Sequence, residues 1–113
     1  MIALLMRLRT VSPKKLQQEM REENVVIFDV NSRESWRKAR VPGARNLAPF
    51  AFEDRDLPVE KSSALVFYCS NLWCTKAPTA AKRARKLGYG DVRVMSAGIT
   101  GWLAAELPTE SGE

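Results

Sequence analysis

The sequence contains no histidine, and this absence excludes several kinds of catalytic site. Without an imidazole, the chain cannot supply a Ser-His-Asp or Cys-His pair, a histidine general base or a histidine metal ligand. Cysteine is also scarce: there are two among 113 residues, too few for the four ligands of a structural zinc site. Any chemistry must therefore come from a thiol, carboxylates, lysines or backbone groups, and we expect neither a metal nor a cofactor.

Long hydrophobic runs are absent as well. No apolar segment approaches the ~20 residues that cross a bilayer. The short start MIALLM is followed, not preceded, by Arg7 and Arg9, which is unlike a secretory signal. We therefore expect a cytoplasmic protein with no membrane partner.

The composition is that of an ordinary globular protein, with 45% hydrophobic and 27% charged positions. No repeat, low-complexity stretch or linker divides the chain. The length suits one domain over residues 1–113, with its core at about 12–110.

The net charge of +5 raises the question of nucleic-acid binding. The basic residues are spread along the chain, however, and no aromatic residues alternate with them as in a single-strand binding groove. The densest cluster, at positions 82–86, alternates with alanines at helical spacing, which is typical of the solvated face of a helix. We therefore expect no nucleic-acid partner.

Two continuous apolar runs, residues 25–30 and 64–69, predict strands that are covered on both faces. Shorter strands are predicted around 45–47 and 91–95, and part of the lead up to Thr10 has the pattern of an edge strand. The stretch from 48 to 61 reads as a loop with one turn of helix.

Helix signals separate these strands. Ser12 and Pro13 predict a helix start, with the helix running to about Glu22. A short helix is predicted at about 33–39, a longer one at 77–87, and a last one with Trp102, Leu103 and Leu107 as its apolar residues. Alternating strands and helices predict an α/β fold with a mostly parallel sheet of about five strands and helices on both faces, in three layers.

Both cysteines fall where the second long strand gives way to a helix. Ligands of parallel sheets bind at the carboxyl ends of the strands, and Cys69 is the predicted last residue of one. The helix dipole and Lys76 should lower the pKa of a thiol in this position. Such a thiolate attacks a sulfane sulfur donor, keeps the outer sulfur as a persulfide and gives it to a second nucleophile.

The chain resembles a single rhodanese domain in several ordered stretches. These are VVIFDVNSRESW, ARVPGARNL in place of an HIPGA-like segment, the loop FYCSNLWCT, and GYGDVRVMSAGITGW with its glycine-tryptophan signature. The resemblance implies a rhodanese-like fold and a sulfurtransferase with Cys69 as its catalytic, persulfide-forming residue. It also implies a small sulfur donor or protein persulfide, and a thiol, cyanide or protein acceptor.

The resemblance also assigns a supporting role, because Asp29 matches a strand-end aspartate that orients loops. Arg40 stands where a histidine is common. Lys76 is expected to support the thiolate through its charge. The substrate-binding loop is expected to consist of Ser70, Asn71, Leu72, Trp73, Cys74 and Thr75.

The loop departs from the family pattern, because SNLWC supplies neither the arginine nor the glycine common in enzymes that use thiosulfate. Cys74 stands where an arginine is frequent, so a bidentate clamp for an oxyanion is missing. The missing clamp favours a sulfur donor without a charged end, or a protein persulfide, over thiosulfate. A cysteine-dependent phosphatase is also disfavoured, because the position that needs arginine holds Thr75.

Other interpretations stay open. Cys69 could be a buried thiol that only packs. Cys74 could resolve a persulfide on Cys69 through a disulfide, or it could be a small hydrophobe under the helix start. Trp73 could shield the sulfur or present a docking surface. The alternative function is a redox-sensing or protein-binding module in which a Cys69–Cys74 pair switches between thiols and a disulfide, without sulfurtransferase activity.

Overall fold

Five parallel strands form one sheet in the computed structural model, which describes residues 7–113. The strands are β1 (Arg9–Thr10), β2 (Val26–Asp29), β3 (Arg45–Asn46), β4 (Ala64–Tyr68) and β5 (Asp91–Val94). Their order across the sheet is β1-β5-β4-β2-β3, so β4 is central and β1 lies at one edge. The predicted parallel sheet is confirmed, including the edge strand within the lead; the part of the lead before Arg7 lies outside the described residues.

Residues 7–113 contain four α-helices: α1 (Pro13–Arg21), α2 (Arg33–Lys38), α3 (Lys76–Lys86) and α4 (Gly98–Ala104). The first three connect strands, and α4 follows β5. The predicted start of α1 is confirmed, because the Ser12 side chain accepts a hydrogen bond from the backbone N–H of Lys15 and Pro13 takes the first helical position. The single turn expected in the 48–61 loop is a 3₁₀ turn at Asp54–Asp56.

The side chains of the two long strands divide the core between the two faces of the sheet. Phe28 and Phe67 belong to the core cluster that contains the alanines of α3, and their rings stack with centroids 5.2 Å apart. Their strand neighbours Ile27, Val66 and Tyr68 belong to the opposite cluster, which contains residues of α1 and α4. This division follows from the alternation of side chains along a strand, and it explains why both runs are continuously apolar.

The three apolar residues of the predicted last helix differ in their burial. Leu103 is 49% exposed, whereas Trp102 is fully buried and its indole N–H donates to the carbonyl of Pro108. Adjacent helical residues point about 100° apart, so a one-sided helix buries one of the two and leaves the other in water. Leu107 lies beyond the helix end and packs against the core cluster there.

Within residues 7–113, none of the helices has the length and apolar character that crossing a bilayer requires.

Candidate active site

The cysteines occupy the two ends of the loop that joins β4 to α3. The strand ends at Tyr68, one residue earlier than predicted, so Cys69 is the first loop residue. The backbone N–H of Cys74 donates to the carbonyl of Asn71 (3.3 Å), and the N–H of Trp73 donates to Oδ1 of Asn71 (2.9 Å). These bonds fold the loop back on itself, and Cys69 and Cys74 border the same small cavity.

The two sulfur atoms occupy the place of an N-cap for α3. Thr75, at the N-cap position, makes no capping bond with its side chain. The backbone N–H groups of Ala77 and Ser70 favour negative charge on the Cys69 sulfur, and those of Lys76 and Ser70 favour it on the Cys74 sulfur. Because these helix-end donors have no partner within the helix, they favour negative charge on the atoms they contact.

We predicted a lowered pKa for the Cys69 thiol, but it is the Cys74 thiol whose pKa is lowered. Burial, together with the neighbouring Cys74 thiol, raises the pKa of Cys69 to about 12, although the N–H groups of Ala77 and Ser70 oppose the shift. The hydrogen bond from Cys69 lowers the pKa of Cys74, with help from backbone N–H groups and the Lys76 ammonium, although burial opposes the shift. The prediction of a lowered pKa at Cys69 is therefore wrong, because the Cys69 residue is only 3% exposed whereas Cys74 is less buried.

Replacing the neighbouring thiol should reverse part of this shift. In Cys74→Ser, we expect the pKa of Cys69 to fall below its wild-type position, because the neighbouring thiolate that disfavours a second negative charge is gone. The measurement is the pH midpoint of iodoacetamide alkylation at Cys69, located by peptide mass spectrometry. A midpoint that is unchanged or higher in the variant would contradict this description of the pair.

A cavity of about 10 Å³ borders the two thiols, and its walls include Leu72, Pro78 and Met95. This is room for about one water-sized atom. Trp73 does not line the cavity and is 73% exposed, so of its two predicted roles the structure favours an exposed surface over a shield.

A buried hydrogen-bond network fixes the other side of the loop. The carboxylate of Asp29 accepts from the hydroxyl of Tyr68 (2.6 Å) and from the backbone N–H of Asn31 (2.8 Å). Asn31 Oδ1 in turn accepts from the hydroxyl of Ser70 (2.9 Å). These hydrogen bonds link Asp29 to the loop through Asn31, and Asp29 does not line the cavity beside the two thiols, in keeping with an orienting role. Sequence reasoning missed Asn31, whose signal was a polar residue directly after a buried strand.

The buried carboxyl of Asp29 predicts a pH dependence of stability. Burial raises the pKa of Asp29, although its hydrogen bonds from Tyr68 and Asn31 oppose the shift. A carboxyl with a raised folded pKa contributes its full stability below the unfolded pKa, and this contribution is lost as pH rises through the folded pKa. We therefore expect the difference in unfolding free energy, wild type minus Asp29→Asn, to decrease from about pH 4 upward. Urea denaturation across pH measures it, and a difference that grows with pH would contradict the assignment.

The start of α4 packs directly on the backbone of the cysteine loop. The N–H of Ile99 donates to the carbonyl of Cys69 (2.9 Å), and that of Thr100 donates to the carbonyl of Ser70 (3.1 Å). Gly98 has φ +65°, and a Cβ there would lie 2.5 Å from the carbonyl carbon and oxygen of Ser70. Sequence reasoning assigned Gly98 no role, although it lies within the matched SAGITGW stretch.

The structure brings most of the predicted site residues together. Ser70, Asn71, Leu72 and Cys74 surround or contact Cys69 through backbone bonds or cavity walls. Thr75 contributes as the helix-end residue, and the Lys76 ammonium favours negative charge on Cys74.

Among known proteins, the chain matches the family model of the rhodanese-like domain over residues 12–105. The chain is 31% identical over 88 residues to the HTH-type transcriptional regulator Rv0324 of Mycobacterium tuberculosis; the match covers 78% of this chain and spans 38% of the regulator.

Solved structures share the fold. The BH2092 protein from Bacillus halodurans superposes with a TM-score of 0.84 at 20% identity, over 91% of this chain and 77% of that one. A thiosulfate sulfurtransferase from Pseudomonas aeruginosa superposes with a TM-score of 0.81 at 24% identity, over 94% of this chain and 20% of that one. With its parallel sheet, its cysteine loop at the end of β4 and a family model that matches most of its length, the chain belongs to the rhodanese-like domain family.

Proposed function

We propose that the protein is a sulfurtransferase that carries a sulfane sulfur as a persulfide on Cys69 and gives it to a thiol, cyanide or protein acceptor. The observation that carries this proposal is the position of the Cys69 sulfur, at the carboxyl end of the central strand and against the N–H groups of Ser70 and Ala77. The family membership supports the same class of chemistry.

The sulfur transfer needs no histidine. Cys69 attacks the donor as a thiolate, and its proton passes to the solvent. The Cys69 sulfur bonds to the outer sulfur of the donor, and the donor's remaining thiolate leaves with the electron pair of the broken bond. In the second step an acceptor nucleophile attacks the outer sulfur, and Cys69 leaves as a thiolate that the two N–H groups stabilise.

The donor we propose is a thiol persulfide or a protein persulfide. The loop from Ser70 to Thr75 has no guanidinium that could hold a sulfonate in a bidentate manner. The exposed side chains of Leu72 and Trp73 lie beside Cys74 and offer apolar contact to a larger donor or to a protein partner.

Sulfur transfer to cyanide with two donors tests the function. Because a hydrogen bond to a charged group contributes about 1.5–3 kcal/mol, we expect kcat/KM for glutathione persulfide to exceed that for thiosulfate by about ten-fold or more. Equal values would contradict the donor assignment. Absence of transfer from both donors would contradict the enzyme itself.

A redox module is the second candidate, and it is favoured by two free cysteines, Cys69 and Cys74, that border the same small cavity. In this function an external oxidant takes two electrons from the pair and a disulfide forms. Thiol titration across a glutathione redox series separates the candidates, because a poised, reversible disulfide without sulfur transfer would support the module instead.

A further inference from the structure

We infer that Cys74 discharges the Cys69 persulfide when no acceptor is present, releasing the sulfur as sulfide and leaving a Cys69–Cys74 disulfide. This inference rests on the proposed function, because it requires a persulfide on Cys69. It adds a second activity to the same loop: reduction of a sulfane sulfur at the expense of the thiol pair.

The closeness of the two thiols carries the inference. The loop bonds at Asn71 fold the chain back on itself, and Cys69 and Cys74 border the same cavity of about 10 Å³. A disulfide requires the two residues to be close, and a cavity of this size has room for only about one water molecule between its walls. An attack on the Cys69 sulfur therefore needs a short approach and no rearrangement of the sheet.

Cys74 also has the properties of an attacking group. It is less buried than Cys69, the N–H groups of Lys76 and Ser70 stabilise its thiolate, and the Lys76 ammonium adds a favourable charge. Thiol–disulfide exchange requires a thiolate as the attacking group, and the position of Cys74 provides one. A guanidinium in its place would hold an oxyanion but could not perform this reaction.

The step balances in atoms and electrons. The Cys74 thiolate bonds to the Cys69 sulfur, the bond from that sulfur to the outer sulfur breaks, and the outer sulfur leaves with the electron pair and one proton as HS⁻. The outer sulfur is reduced by two electrons, and the two cysteine sulfurs supply them by forming the disulfide. A dithiol reductant must then reduce the disulfide before the next cycle.

The intramolecular step competes with the acceptor for the same persulfide. An acceptor attacks the outer sulfur, whereas Cys74 attacks the inner one, so the outcome depends on which nucleophile arrives first. Cys74 would thus limit the lifetime of an unused persulfide.

The test loads wild type and Cys74→Ser with glutathione persulfide, removes the excess donor and follows each protein without an acceptor. In wild type we expect free sulfide and intramolecular disulfide to appear in equal amounts, at a rate independent of protein concentration. In Cys74→Ser we expect a persulfide that lasts at least about ten-fold longer, because a held intramolecular nucleophile is replaced by collisions between molecules. Cys74→Ala serves as a second variant, and circular dichroism checks that both fold.

The outcomes separate the two proposals. If neither wild type nor the variants take up sulfur, the proposed function fails. If all three load and lose the sulfur at the same rate, the proposed function stands and the role of Cys74 as a resolving thiol is overturned. If the sulfur in wild type is found on Cys74, the assignment of the persulfide to Cys69 and the resolving role of Cys74 are both overturned.

Discussion

Cys69→Ser is expected to abolish sulfur loading, with a rate below about a thousandth of the wild-type rate. A serine hydroxyl can accept the same N–H bonds from Ser70 and Ala77, so the fold and the loop should persist. It cannot form a persulfide, however, and the chain has no histidine to activate it as a nucleophile. Intact-mass spectrometry after incubation with glutathione persulfide measures the added sulfur.

Cys74→Ser is the matched control for this experiment. It makes the same substitution five positions away in the same loop, and we expect it to load sulfur because Cys69 keeps its own N–H donors. Loading of Cys69→Ser at a rate similar to this control would place the sulfur on another residue and contradict the assignment.

Gly98→Ala is expected to destabilise the protein by at least about 2 kcal/mol and to impair sulfur loading. An alanine would have to keep φ +65°, and its Cβ would meet the backbone of Ser70 at 2.5 Å. The contacted atoms are a carbonyl carbon and oxygen, which cannot move aside like a side-chain end. Relief requires α4 to move away from the cysteine loop, and that movement breaks the bonds from Ile99 and Thr100 that hold the loop carbonyls.

Gly90→Ala controls for the substitution itself. Gly90 lies outside the left-handed region, and an added Cβ would contact nothing within 4 Å. Its unfolding free energy should stay within about 0.5 kcal/mol of wild type. Urea denaturation of both variants, with loading assayed in parallel, measures the difference. A Gly98→Ala variant as stable and active as Gly90→Ala would show that the close packing on Ser70 is unimportant.

The main elements of the fold were predictable because their signals are local. The apolar runs that became β2 and β4 are buried on both faces, and the alternation of Phe28 and Phe67 with Ile27 and Val66 between two core clusters follows directly from strand geometry. The cap at Ser12 and the alanine face of α3 were equally local. The order of the strands was not readable, because it depends on pairings between segments distant in sequence.

The site was predictable in its location and less so in its electrostatics. The change from strand to helix indicated the position of Cys69 correctly. The predicted pKa of Cys69, however, took account of the helix dipole and not of burial, and burial raises that pKa instead of lowering it. Asn31 and Gly98 both contact Ser70, although they lie 39 and 28 positions from it in the sequence. Contacts over such separations leave no periodic pattern in the sequence.

The most direct test of this account is where a transferred sulfur resides. Cys74→Ser, loaded with glutathione persulfide and blocked by alkylation, should give a peptide that carries one extra sulfur atom at Cys69. Wild type caught immediately after loading should carry it at the same residue. Absence of the extra sulfur in both proteins, or its appearance on Cys74 of wild type, would contradict the central claim that Cys69 holds the persulfide.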